Sequence, residues 1–121
     1  MVTFEIKTGT LLADGQIIGH GYAGNGDCLN NPEMCAMAQH GPLPTGFYVI
    51  GQPIDQPKST GAYSLPLWPD ISNQMFGRNG FFVHGDNPEQ NQTASDGCIV
   101  TGRDVREVIA KHQILQVVEG E

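Results

Sequence analysis

A chain of 121 residues with net charge −7, its six basic residues scattered among thirteen acidic ones, has no cationic face for nucleic acid or for an anionic membrane surface. The length suits a single domain spanning 1–121 and allows roughly 65% of the unfolded chain's surface to be buried, enough for a core without obligatory staples. Sixteen glycines and eight prolines announce tight turns between short strands, and no apolar run approaches the length of a membrane span.

In chain order, Val2, Phe4 and Ile6 alternate with Thr3, Glu5 and Lys7, the period of a half-buried strand rather than the basic-then-apolar layout of a signal peptide. The chain is therefore expected to be soluble and made in the cytoplasm. If it acts beyond that compartment, another machine carries it or a leader has been removed. Leu11-Leu12 and Ile17-Ile18 flank Asp14-Gly15, a strong hairpin signal. From Gly21 to His40 the sequence turns polar and glycine-rich and predicts a long ordered loop. Phe47–Ile50 predicts a strand. Tyr63–Leu67 predicts a short edge strand, because Pro66 and Pro69 disfavour a central one. Ile71–Phe76 predicts a helical turn, and Gly80–His84 and Ile99-Val100 predict further strands.

The one convincing helix follows Thr101, with Thr101 as N-cap, Asp104 three residues on, an apolar stripe of Val105, Val108 and Ile109, and Lys111 and His112 near its C-terminus. Ile114–Val118 predicts a closing strand. The fold class is thus mainly β, one domain, with one short helix near the C-terminus.

The chemistry concentrates in Phe82-Val83-His84-Gly85 and Ser95-Asp96-Gly97-Cys98-Ile99. An imidazole near 6.5 and a thiol near 8.5 are a natural base and nucleophile for attack on a carbonyl. In this reading Cys98 is the nucleophile and His84 the base that later protonates the leaving amine, its ring held by the Gly85 carbonyl. The N–H groups of Gly97 and Cys98 are the expected oxyanion donors. Asp86 and Asp96 are placed to tune the pair, although an anion at the sulfur would raise its pKa. The ordinary alternatives are a Cys98 that packs as a small hydrophobe and a hydrogen-bonded His84 at a strand end. Cys28 and Cys35 enclose a short loop that fits either a disulfide or two reduced thiols, which leaves Cys98 unpaired. No paired CxxC or HxxxH spacing points to zinc, and neither a metal nor another cofactor is expected. His20 and His40 bracket the glycine-rich loop and either line a pocket or face solvent. Tyr22, Tyr48 and Trp68 are either core residues or an aromatic platform.

Gly21-Tyr22-Ala23-Gly24-Asn25-Gly26, Asn30-Asn31-Pro32 and the run Gly41–Gly51 occur in this order, followed by Phe82–Asp86 and Ala94–Val100. From about Leu11 to Val100 this arrangement resembles the L,D-transpeptidase-like effector family of type VI secretion systems. The pattern of the wider superfamily is matched at His84, Ser95, Gly97 and Cys98. It is left at Asp96, where histidine is usual, and at Val100, where an arginine often stands, so that Arg103 is a candidate substitute.

The resemblance implies a small L,D-transpeptidase-like β-sandwich or barrel. It also implies cysteine chemistry on peptidoglycan stem peptides at the diaminopimelate–D-alanine bond, as L,D-carboxypeptidase, D-amino-acid exchange or crosslinking. Ser95, Asp96, Tyr22, His40 and Arg103 are then candidate substrate contacts. The expected setting is an antibacterial toxin in the periplasm of a target bacterium, with an immunity protein and secretion or phage machinery as partners. Competing readings are a cysteine peptidase or amidase cutting another wall bond, a non-catalytic wall-binding module, and a phage structural protein.

Overall fold

The computed structural model describes residues 1–87 and 94–120. The nine strands are β1 (Val2–Glu5), β2 (Thr10–Ala13), β3 (Gln16–Ala23), β4 (Gly46–Ile50), β5 (Ile54–Gln56), β6 (Gly61–Pro69), β7 (Phe81–His84), β8 (Ile99–Thr101) and β9 (Ile114–Val118), with one helix, α1 (Arg103–Ile109). They run in the order β4-β9-β1-β2-β3-β8-β7-β6, and β6 pairs back onto β4, which closes an eight-stranded barrel with β5 appended to β6. The pairs β1/β9 and β7/β8 are parallel, and the remaining pairs are antiparallel. An eight-stranded barrel is just wide enough to be filled by its own side chains. Here the filling comes from one face of each strand: Val2 and Phe4, Leu11, Tyr48, Leu65 and Leu67, Val83, Ile99, Leu115 and Val117 are all buried. The helix adds Ile109 to the same core.

The β2–β3 hairpin turns as expected at Asp14-Gly15, where both residues have positive φ, the signature of a turn whose twist matches the strands. Four expectations are corrected. The polar segment after Gly21 is not all loop. β3 continues to Ala23, and two 3-10 turns, Gly26–Cys28 and Pro32–Met34, shape the rest. The Asn31 side chain caps the second of these by accepting from the Glu33 N–H. Ile71–Phe76 forms turns rather than a helix. The α1 N-cap is Gly102, with no side-chain cap, because Thr101 still belongs to β8 and its hydroxyl donates to the His20 carbonyl.

The fourth correction concerns β6, which is central and nine residues long. Pro66 sits opposite Phe82 of β7, whose N–H turns the other way, toward β8. The Pro66 nitrogen therefore faces the opposite side of β6, where pairing to β5 stops at Ser64 and pairing to β4 resumes at Leu67. No ladder hydrogen bond is due from it there, and its carbonyl accepts from Gly51 N–H. Proline is excluded from central strands by its missing donor, and this site asks for none.

Candidate active site

The parallel pair β7/β8 places Val83 beside Ile99 and His84 beside Val100. Val83 and Ile99 point into the core, so His84, Phe82 and, just ahead of β8, Cys98 fall on the other face. Cys98 and His84 open into one cleft of about 370 Å³, also lined by Gln56, Thr60, Phe82 and Asp96. Past Cys98 a hollow of about 300 Å³ carries Gln39, Arg78 and Asp96. Beyond His84 another of about 270 Å³ reaches Gly85, Asp86 and Asn87. Neighbouring hollows share lining residues and form one groove across the sulfur and the imidazole.

His84 is buried, and its Nδ1 lies 2.8 Å from the Gly85 carbonyl oxygen. A carbonyl only accepts, so Nδ1 carries the proton and Nε2 keeps its lone pair in the neutral ring. Burial holds the His84 pKa below the usual 6.5, and the Arg106 charge acts in the same direction. The Gly85 hydrogen bond and the Asp86 and Asp96 carboxylates partly offset this.

Burial pushes the Cys98 thiol up to about 11. The Phe82 N–H, which donates to Sγ at 3.3 Å, pulls the other way, as does Arg78, while Asp96 adds to the rise. Burial thus favours a neutral thiol and a neutral imidazole over an ion pair at this site.

Ser95 organises the approach to Cys98. Its Oγ accepts from Gly24 N–H at 2.9 Å and from Gly97 N–H at 3.0 Å, and donates to the Cys98 carbonyl at 2.6 Å. The residue, a candidate substrate contact, is fully buried and ties the end of β3 to the turn carrying Cys98. Gly97, an expected oxyanion donor, donates its N–H to Ser95 Oγ here. Its φ of +135 still requires glycine. The Gly97 carbonyl accepts from Leu43 N–H at 2.9 Å. A planar trans peptide then points the Cys98 N–H the opposite way, and that N–H lies close enough to its own Sγ to lower the thiol pKa. Ser95→Ala orphans two donors and one acceptor in a buried loop. It is expected to cost about 3 kcal/mol of unfolding free energy in urea titrations; a loss below about 1 kcal/mol would refute the hub role.

The other candidates divide. Asp96 is exposed on the groove beside Cys98. Tyr22 is buried, with its hydroxyl donating to Asp86 at 2.7 Å and accepting from Ala94 N–H at 3.2 Å, so it fastens the two ends of the segment between β7 and β8 instead of presenting a platform. Burial and that carboxylate raise its pKa to about 12. Tyr48 is a core residue bonded to the Pro44 carbonyl, and Trp68 is exposed on the outer face of β6. His40 bonds Asn25 in a separate hollow with Met37 and Cys28. Arg103 pairs with Glu107 at 3.2 Å and lies over the Tyr63 ring, and it is not among the residues that line the groove. Cys28 and Cys35 are free buried thiols.

Sequence reasoning missed Arg78 and Arg106. Arg78 donates to the carbonyls of Cys35 (2.6 Å), Pro42 (2.8 Å), Gly41 (3.0 Å) and Asp96 (3.2 Å), and lies over the Phe81 ring. It clamps the loop before β4 to the Asp96 turn and brings a positive charge toward Cys98. Its partners are backbone groups, so no side-chain pattern in the sequence marks them. No helix in the described residues is long and apolar enough to cross a membrane.

No curated protein matches the chain. Among solved structures it is similar to Bd1075 of Bdellovibrio bacteriovorus, with 18% identity and a TM-score of 0.64 over 99% of this chain and 48% of that one. That likeness shows the fold, and the chain spans about half the length of that protein. The family model described as the Tlde1 domain matches residues 18–119. The chain belongs to the Tlde1 domain family, a family of type VI secretion effectors.

Proposed function

We propose that this effector performs cysteine-dependent acyl chemistry on peptidoglycan stem peptides, cleaving the diaminopimelate–D-alanine bond as an L,D-carboxypeptidase or exchanging the terminal residue for another D-amino acid. The observation that carries the reading is the shared cleft of Cys98 and His84, with His84 Nδ1 tied to Gly85 and Nε2 left for proton exchange.

The Cys98 proton passes to His84 Nε2 as sulfur attacks the carbonyl carbon, and the Phe82 N–H steadies the negative sulfur. The carbonyl oxygen becomes an oxyanion, for which the Cys98 N–H is the available donor at the turn. On collapse the C–N bond breaks, and His84 returns its proton to the departing D-alanine amine. A thioester remains on Cys98. Water, or the amine of a D-amino acid, then attacks it, losing a proton through His84 while the thiol is restored. A neutral resting pair suits this route, because the thiolate is needed only when a carbonyl is in reach. The effector family supports delivery by a secretion machine to the periplasm of a target cell, with an immunity protein guarding the producer.

The test is mass spectrometry of tetrapeptide muropeptides incubated with the protein, with and without D-methionine. Loss of D-alanine, or its replacement by D-methionine, is the expected outcome. Unchanged muropeptides, or cleavage at another bond, would overturn the assignment.

A further inference from the structure

A cavity of about 430 Å³ lies where β3, the ends of β7 and β8, and the start of α1 meet, lined in part by His20, Tyr22, Gly85, Asp86, Thr101 and Arg106. It shares Gly85 and Asp86 with the hollow beyond His84, so it continues the groove past the imidazole. Arg106 is only 8% exposed. Its Nε donates to the Gly102 carbonyl at 3.4 Å and its Nη1 to those of Ala62 and Tyr63 at 3.2 and 3.4 Å, all long and all neutral. Its Nη2 donates to none of the described residues.

Among the described residues no carboxylate comes within ion-pair distance of this guanidinium, in a chain that carries thirteen acidic residues. Glu107, its neighbour in sequence, is taken by Arg103. Asp86 lines the same cavity, but its Oδ1 accepts from the Tyr22 hydroxyl and from Asn87 N–H. A nearly buried cation without a counter-ion is costly unless something charged completes it. The wall over it is also kept open: a Cβ on Gly85 would meet Nη1 and Nη2 at 3.0 and 3.1 Å and cover the guanidinium.

We infer that this cavity is a carboxylate subsite of the groove, in which Arg106 receives a carboxylate of the peptide and Asp86 accepts a neighbouring peptide N–H. The planar guanidinium matches a carboxylate, and the Asp86 charge disfavours a phosphate in the same space. The inference rests on the reading of the groove as a peptide site. The carboxylate comes either from the C-terminus of the stem or from the α-carboxylate of its γ-linked glutamate.

Binding to the Cys98→Ala protein separates these, because it requires no turnover. The probes are the tetrapeptide L-Ala-γ-D-Glu-diaminopimelate-D-Ala, the same peptide amidated at the glutamate α-carboxylate, and the same peptide amidated at its C-terminus. One amidation is expected to weaken binding roughly tenfold, the scale of a charge-assisted hydrogen bond, and to reduce NMR shifts at Gly85, Thr101 and Gly102. Which amidation does so names the carboxylate. In Arg106→Gln the discrimination should vanish. Should that variant not fold, the shift differences between acid and amide on the Cys98→Ala protein decide alone. Equal binding of all three peptides, acid–amide differences confined to other residues, or no binding at all would overturn the subsite. The turnover assay judges the acyl chemistry separately, and carboxylate-dependent binding without turnover would sink that chemistry while leaving the subsite standing.

Discussion

Cys98→Ala is expected to abolish release or exchange of D-alanine while the barrel stays folded. Among the described residues Cys98 carries the only sulfur lining the groove, so the substitution leaves no route through a thioester. Structurally it removes one atom. The residue is half-buried at the groove, outside the fully buried set that fills the barrel, and the one donor it leaves without a partner is the Phe82 N–H. That donor faces a groove that admits water, so the cost is about 1 kcal/mol or less. Mass spectrometry of the products and a thermal melt of both proteins measure the two halves of the statement. Wild-type turnover in the variant would end the cysteine mechanism, whereas an unfolded variant would show that the thiol is structural.

His84→Ala is expected to lower kcat/KM by about 100-fold or more, the scale of a positioned acid–base group. The pH dependence carries the distinguishing mark. The base must be neutral to take the thiol proton, and burial depresses the His84 pKa below 6.5. Activity therefore persists below pH 6.5 and falls only as the pH drops through that depressed value; the acidic limb should disappear in the variant. The same depression has a thermodynamic counterpart. Below pH 6.5 the unfolded chain takes up this proton more readily than the folded one, so the His84 contribution to stability is present above 6.5 and is lost as the pH falls through the folded value. An acidic limb unchanged in His84→Ala would assign the base to another group.

Much of the barrel was legible because its strands announce themselves locally. The alternation of β1, the Asp14-Gly15 turn and the apolar runs of β4, β7 and β9 each depend on neighbours in sequence. β6 was misjudged because the penalty for proline depends on which way its nitrogen faces, and only the register against Phe82 shows that. The N-cap of α1 slipped by one residue because the threonine hydroxyl found a better acceptor in the His20 carbonyl across β3. At the site, Cys98 and His84 were singled out for their chemistry, the resemblance supplied their company, and the structure brings the two into one cleft. Ser95 was read as a substrate contact because a serine beside a nucleophile has the same letter whether it faces solvent or three backbone groups. Arg78 and Arg106 were passed over because their partners are carbonyls of residues far away in the chain.

The place of β9 between β1 and β4 bears on how the molecule comes into being. Until that strand arrives, β1 and β4 each present an open edge, so the ring cannot close on segments that emerge from the ribosome early. Most of its pairings join distant parts of the chain, which places refolding in the slow range of milliseconds to seconds typical of such topologies. The segments made before β9 stay an unclosed sheet until it arrives, the form in which a chaperone can still hold them.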